Sequence, residues 1–243
     1  METLGMDIGK DFYFAQITDI HIRENAAFES ERDNLTWALG ELENLEPRPA
    51  MILATGDLGC RGTAAELAAY RELVSGCSLP IHALPANHDL WGEADESAWT
   101  GQIGPTHQKI IAGGVHFILI NETQRTESGG WKAQITPQQM AWMKRQLREA
   151  DGAPAVVAMH APPLPMEGNF VERWQDSNAD ELFDLLSAHA VKAVISGHWH
   201  RNLRWQVKGV PVINTGALCG WQYNEVPPYT MFPVRPGYRL FHF

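Results

Sequence analysis

The sequence predicts an α/β fold, and two observations carry that prediction. Short apolar runs of strand length recur along the 243 residues. Segments with apolar residues three and four apart, the period of a helix, separate several of them. Strands alternating with helices supply the crossovers that a parallel sheet requires.

In chain order, Phe12–Ile17 is the first run, rich in β-formers and apolar on both faces. Leu35, Leu39, Leu42 and Leu45 then mark a helix, followed by a strand at Met51–Ala54. Thr63-x-x-Glu66 is a capping box, opening a second helix that carries Leu67 and Leu73 inward. Ile81–Leu84 is the third strand. Gln108–Ile111 and Val115–Ile120 flank Gly113-Gly114, the signature of a hairpin. A second capping box, Thr136-x-x-Gln139 with Pro137 in the first turn, opens a helix with Met140, Met143 and Leu147 on its inner face. The strand Ala155–Met159 precedes a helix begun by Asn178 and lined by Leu182, Leu185 and Leu186, and Val191–Ile195 comes next. Beyond it, Leu203–Val207, Val210–Ile213 and Tyr238–Phe243 follow with no helix between them, which predicts a second sheet or a mixed edge. No repeat or linker interrupts the chain, so one domain over 1–243 is expected. Two Pro-rich stretches, Ala161–Asp176 and Trp221–Gly237, are long enough to be functional loops.

Composition narrows the function. A formal charge of −10 argues against nonspecific duplex binding, which needs Lys and Arg to neutralise phosphates; sequence-specific nucleic-acid binding is not expected either. A local positive site stays open, because bound cations are outside that count. The opening Met1-Glu2-Thr3 has no basic segment leading into an apolar stretch, so no signal peptide is expected, and the apolar runs are too short for a spanning helix. Cys60, Cys77 and Cys219 show no zinc-type spacing and cannot all pair, which suits a cytoplasmic location. A homo-oligomer is compatible with the sequence.

The chemistry gathers at the ends of apolar runs. Asp19-Ile20-His21, Gly56-Asp57, Asn87-His88-Asp89, His160 and Gly197-His198-Trp199-His200 each follow one. In open α/β sheets, ligands bind beyond the carboxyl ends of strands, so these side chains can converge. In an extended segment, residues i and i+2 share a face, which would aim Asp19 with His21 and His198 with His200 at one point. Singly, each has an ordinary explanation: a lone His ending a strand is commonly hydrogen-bonded in the core, and Gly-Asp is commonly a turn. Five together predict a metal site. Carboxylate, imidazole and amide oxygen suit Mn, Fe, Zn or Co. Asp19, His21, Asp57, Asn87, His160, His198 and His200 exceed what one ion needs, but two ions sharing Asp57 would use them all. His82, His107, His116, His189 and His242 lie outside the pattern. Cys60 is close to Asp57 in sequence without an evident basic partner, so it reads as an inert thiol.

With these motifs in this order, the chain resembles the calcineurin-like metallophosphoesterases from about Phe12 to Asn202. Met159–Pro165 and Thr55–Tyr70 are similar to the branch acting on cyclic nucleotides and glycerophosphodiesters. The resemblance implies a two-sheet β-sandwich flanked by helices, a four-layer α/β/β/α arrangement. It also implies two divalent or trivalent metal ions, one taking Asp19, His21, Asp57 and His200, the other Asp57, Asn87, His160 and His198. Asn87 and His88 would contact a small phosphate-ester substrate, with His88 donating a proton and Asp89 orienting it. The implied reaction is in-line attack by a metal-activated hydroxide on a phosphodiester. A phosphomonoesterase or nucleotide pyrophosphatase using the same site, or a non-catalytic module of this fold, are the alternatives. His-Glu-x-x-His and Gly-x-Ser-x-Gly patterns are absent. Three positions depart from the family pattern: Ala86 stands where glycine is usual, Cys60 where an acid or amide is common, and Ala161 where a second histidine is frequent. Arg23, Asn202 and Asn214, just past the motifs, read as structural. Arg23, Arg61 and Arg201 are the cations near enough to meet a phosphate, and Trp221 and Tyr223 would line a leaving-group pocket.

Overall fold

The carboxyl ends of two sheets form the rim on which the motif residues lie. The structure is a computed structural model that describes residues 11–24, 29–91, 96–164, 178–223 and 230–243. In the smaller sheet β1 (Tyr13–Ile17), β2 (Ile52–Thr55) and β3 (Ile81–Leu84) run parallel, and β14 (Arg239–His242) pairs antiparallel with β1 at one edge. The larger sheet has the order β10-β11-β9-β8-β5-β4, formed by β4 (Gln108–Ala112), β5 (Val115–Leu119), β8 (Ala155–Ala158), β9 (Val191–Ser196), β10 (Leu203–Val207) and β11 (Val210–Asn214). Its four inner strands are parallel, and β4 and β10 are antiparallel edges joined to their neighbours as hairpins.

Strand alternation explains why the runs are apolar on both faces. Phe14 and Leu53 of the small sheet meet Phe117, Leu119, Val156, Ala158, Ala193 and Ile195 of the large one in a core between the sheets. The alternate residues Ala15, Ile17, Ile52 and Ala54 turn outward, to Leu35, Leu39 and Leu42 of α1 (Glu29–Glu43) and Leu67 and Tyr70 of α2 (Ala64–Val74). Ile118, Val157 and Val194 likewise turn outward to Met140, Met143 and Leu147 of α5 (Pro137–Glu149) and Leu182 and Leu186 of α6 (Ala179–Ser187). The result is helix, sheet, sheet, helix. The C-terminal strands that lacked helices divide between the sheets: β10 and β11 extend the large one and β14 completes the small one.

Both capping boxes form, with Thr63 and Thr136 accepting from the third residue of their helices. Asn178 does occupy the N-cap of α6 but makes no side-chain cap bond. Its amide instead accepts from the Ile135 nitrogen at 3.2 Å and donates to the Ile135 carbonyl at 2.7 Å. Several short elements had no periodic signal: α3 (Asn87–Trp91), α4 (Glu96–Gln102), the hairpin β6 (Thr123–Arg125) with β7 (Trp131–Ala133), and the pair β12 (Trp221–Tyr223) with β13 (Met231–Pro233). Of the two expected loops, residues 165–177 and 224–229 lie outside the described residues, as do the Tyr223 side chain and the Met1–Thr3 opening. Among the described residues no helix is long and apolar enough to cross a membrane.

Between the sheets, directly under the rim, a small buried polar group centred on Gln16 interrupts the apolar core. Gln16, fully buried, donates to Thr55 Oγ1 at 2.8 Å and to the Ser196 carbonyl at 3.0 Å, and accepts from Thr215 Oγ1 at 2.7 Å. A buried amide with its bonds satisfied costs little and fixes the position of one sheet against the other.

Candidate metal centre

Convergence at the rim is achieved by curled backbone, which corrects the expectation of extended i, i+2 pairs. Asp19, His21, Asp57, His198 and His200 have φ of 52°, 55°, 52°, 73° and 54°, in the left-handed region. Such conformations cost non-glycine residues about 1–3 kcal/mol each and persist where surrounding bonds over-determine them. Those bonds are present. The nitrogens of Ile20 and His21 both donate to the Asp57 carbonyl at 2.9 Å, and Asp19 donates to the Gly56 carbonyl at 3.1 Å. Cys219 donates to the Asp19 carbonyl at 2.9 Å, and Gly197 to the His160 carbonyl at 2.9 Å. At Gly197 a Cβ would collide with Thr18 Oγ1 and with the Asp19 carboxylate. Gly56 has φ 88°, and its missing Cβ would lie 2.5 Å from the Ala86 methyl. Ala86 itself has no positive φ, so alanine is accommodated where glycine is usual, the methyl filling space that Gly56 vacates.

Six of the seven residues proposed as ligands are brought together by measured contacts. His160 Nε2 lies 3.1 Å from Asp57 Oδ2 and 3.7 Å from Asp19 Oδ1. His200 Nε2 is 3.2 Å from Asp19 Oδ1 and 3.2 Å from His21 Nε2, which in turn is 3.7 Å from Asp57 Oδ2. Asp19, His21 and Asp57 form one group whose ligand atoms lie within 4.8 Å of one another, and Asp57, His160 and His198 form a second. Asp57 is common to both. The seventh residue, Asn87, is buried beside them at the start of α3, with its Oδ1 unbonded.

Outer contacts aim the rings. His160 Nδ1 donates to the Thr55 carbonyl at 2.8 Å and His200 Nδ1 to the Trp221 carbonyl at 2.7 Å, which turns each Nε2 to the carboxylates. The His198 ring stands edge-on to Trp131 at 5.3 Å and to His160 at 5.2 Å.

Electrostatically the cluster is a set of opposed charges in a dry place. Burial works to raise the Asp19 pKa, but His200 and His160 outweigh it and bring it to about 2. Burial is similarly outweighed at Asp57, where His160 and His88 hold the carboxyl well below its ordinary range. Burial disfavours a charged His160, yet Asp57 and Asp19 carry its pKa up to about 10. The same contest, with Asp19 prevailing, raises His200 well above an ordinary histidine. Burial, then the His160 charge, press His198 down to about 3. Burial and His88 likewise hold His21 well below the usual value.

His88 is half-buried, and its Nδ1 bonds the Cys60 carbonyl at 2.6 Å. That contact corrects the orienting role given to Asp89. The Asp89 carboxylate, fully buried, accepts instead from the Gly59 nitrogen at 2.9 Å and the Ala86 nitrogen at 3.0 Å, tying together the loops after β2 and β3. Burial, then Asp57, raise the Asp89 pKa to about 8. Cys60 has neighbours the sequence did not show: it groups with His21 and His88, and Arg23 lies against its thiol. Burial nonetheless outweighs Arg23 and pushes the thiol pKa up, in keeping with the inert thiol expected.

Two contributors escaped the sequence reading. Glu122, fully buried, accepts from the His160 nitrogen at 3.2 Å through Oε2 and from the Ala161 nitrogen at 2.7 Å through Oε1. It follows β5, where the same strand-end rule points to it. Trp131, on β7, carried no such signal. Asn202 Oδ1 accepts from Gly216 and Arg239, and Asn214 donates to the Arg201 carbonyl, contacts in keeping with a structural reading of both. Arg23 pairs with Glu31 at 3.7 Å.

Comparison with known proteins identifies the family and supports the fold. A family model described as calcineurin-like phosphoesterase matches residues 12–202. A 3',5'-cyclic-nucleotide phosphodiesterase of Nostoc sp. is 27% identical over 234 residues, covering 93% of this chain and 85% of that protein. The 3',5'-cyclic adenosine monophosphate phosphodiesterase CpdA of Escherichia coli K12 is 26% identical, covering 92% and 82% respectively. A probable glycerophosphodiester phosphodiesterase GpdQ of Arcobacter nitrofigilis is 25% identical over 197 residues, covering 76% and 71%. Among solved structures, a dimetal phosphatase from Danio rerio superposes with a TM-score of 0.70 at 16% identity over 92% of both chains, which supports the fold.

Proposed function

The chain belongs to the calcineurin-like phosphoesterase family, and from that premise we propose that it hydrolyses small phosphodiesters at a centre holding two metal ions. The carrying observation is that Asp57 joins two separate groups of ligand-bearing side chains. The donors fit such ions. Asn87 Oδ1 is a buried polar atom without a hydrogen-bond partner among the described residues, His160 Nε2 faces the Asp57 carboxylate at 3.1 Å, and His21 and His200 set two ring nitrogens face to face at 3.2 Å. Nitrogens so arranged suit a cation between them and the carboxylates. One ion would take Asp19, His21, Asp57 and His200, the other Asp57, Asn87, His160 and His198. When bound, the ions supply Lewis acidity toward the phosphoryl oxygens and lower the pKa of an attacking water.

The chain does the rest. The Thr55 and Trp221 carbonyls keep His160 and His200 in the tautomer that presents Nε2. The Glu122 carboxylate holds the backbone that carries His160. His88, anchored through Nδ1–H to the Cys60 carbonyl, would as the imidazolium carry a second proton on Nε2, give that proton to the departing alkoxide and be left neutral. The two carboxylates proposed as ligands, Asp19 and Asp57, would contribute two negative charges against two cations, so the site would favour an anionic phosphate. Pairing of β14 with β1 ties the last described strand to the first, which supports one catalytic unit over 1–243.

A diester is preferred because the named relatives are diesterases and no run of basic residues adjoins the motifs in sequence. The test is hydrolysis by Mn-reconstituted protein, with bis-p-nitrophenyl phosphate expected to exceed the monoester under matched conditions. A strong monoester preference with several metals would defeat the diesterase reading.

A further inference from the structure

Beside the cluster, on the side of His88, the chain sets a thiol among imidazoles. Cys60, His21 and His88 each bring one ligand atom to within 4.8 Å of the others. The His21 ring stands perpendicular to His88 at 4.7 Å. His21 Nε2 is turned to His200 and Asp57, while its Nδ1 is buried and has no hydrogen-bond partner among the described residues. A metal-binding histidine ordinarily gives its second nitrogen to a carbonyl or carboxylate, as His160 and His200 do here. His21 does not. That nitrogen, 1% exposed, next to a second imidazole and a half-buried thiol, completes a donor set once a binding cation displaces the protons of His21 Nδ1 and of the thiol to solvent.

We propose that Cys60 Sγ, the His88 ring and His21 form a capture site for a soft divalent cation, Zn2+ or Cd2+, and that filling it inhibits the enzyme. One sulfur and two nitrogens are the ligands such ions favour, and three protein ligands with an open fourth position are a usual zinc arrangement. The neighbouring centre is richer in carboxylate oxygen and suits harder ions. Arg23, whose charge lies against the thiol, is offset by Glu31 at 3.7 Å. Capture of the cation rests on these residues alone. Inhibition rests on the function proposed above, since it follows from His88 being drawn away from the leaving group.

The full chain, reconstituted with Mn, is titrated with Co2+ while the near-ultraviolet thiolate-to-cobalt charge-transfer absorption is followed. Wild type and Cys219→Ser are expected to develop the band, and Cys60→Ser to lack it, with Cys60→Ala as a second variant should the serine misfold. Excess Zn2+ is then titrated against bis-p-nitrophenyl phosphate hydrolysis, each variant scored against its own rate without added Zn2+. Half-inhibition of Cys60→Ser should need roughly tenfold more Zn2+ than wild type, the scale of losing a metal-supporting contact. A band that survives in both Cys60 variants, or follows Cys219, overturns the proposal, as does equal inhibition of wild type and variant. A Cys60-dependent band in a protein with no hydrolytic activity under any metal would leave the capture site standing and refute the proposed function instead.

Discussion

The peptide nitrogen of His198 donates to both carboxylate oxygens of Asp19, at 3.1 and 3.0 Å, across 179 positions of sequence. One carboxylate thereby bonds the backbone of the loop that supplies His198 and His200 while its Oδ1 also faces His160 and His200 Nε2. The approach is possible only because Gly197 has no Cβ to strike Thr18 and Asp19.

Gly197→Ala is therefore expected to destabilise the fold by about 1–3 kcal/mol, the usual cost of overpacking, and to lower metal occupancy. Thermal unfolding and metal analysis on the same sample check both. An unchanged melting temperature with full occupancy would show that the two loops are not in the contact described.

Asp57→Asn should reduce metal content and turnover together, because Asp57 is the residue common to both groups. His88→Ala should reduce turnover while leaving most of the metal in place. Metal analysis of the two variants decides: an emptied His88→Ala beside a filled Asp57→Asn would reverse the roles.

Glu122→Gln keeps shape but turns an NH2 toward one of two buried peptide donors, an unmet bond costing about 1–3 kcal/mol. Since the affected peptide carries His160, metal affinity should fall roughly 10- to 100-fold, as for other supporting contacts of metal ligands. Equilibrium metal titration measures it. Full affinity in a destabilised variant would mean that Glu122 supports the loop without positioning the ligand.

Trp221 packs at 4.8 Å from the His21 ring and 4.6 Å from His200, and its carbonyl accepts from His200. It is part of the wall of the centre, not only of a distal leaving-group pocket. Trp221→Ala should accordingly slow bis-p-nitrophenyl phosphate hydrolysis as well as alter selectivity among larger diesters, and a change confined to selectivity would return the residue to the distal role.

Much of this was legible in advance. The alternation of apolar runs and helical periods located every long strand and helix, and the carboxyl-end rule picked the residues of the cluster, because both depend on local pattern. The division into two sheets was not readable from Phe14 or Val157. A strand apolar on both faces looks the same whether a helix or another sheet covers it. Left-handed backbone at Asp19 and His200 leaves no trace either, since neither residue type announces it as glycine does. α3 and the β6–β7 hairpin are too short to show a period. The basic surroundings of Cys60 come from His21 and His88, both distant in sequence, and only the fold assembles them.

The pairing of Tyr13 with His242, the first described strand against the last, bears on when the centre can exist. Loop closure over such separations is costly and comes late in folding, so topologies of this kind assemble slowly. β1 delivers Asp19 and His21 to the rim but gains its second neighbour only once residues 239–242 have emerged from the ribosome. Half the cluster is synthesised long before the other half, which arrives with His198 and His200. A cation captured early by Asp19, His21 and Asp57 alone would meet an incomplete set of donors. The full donor set exists only after the first and last described strands have met, so complete loading would follow that pairing and not precede it.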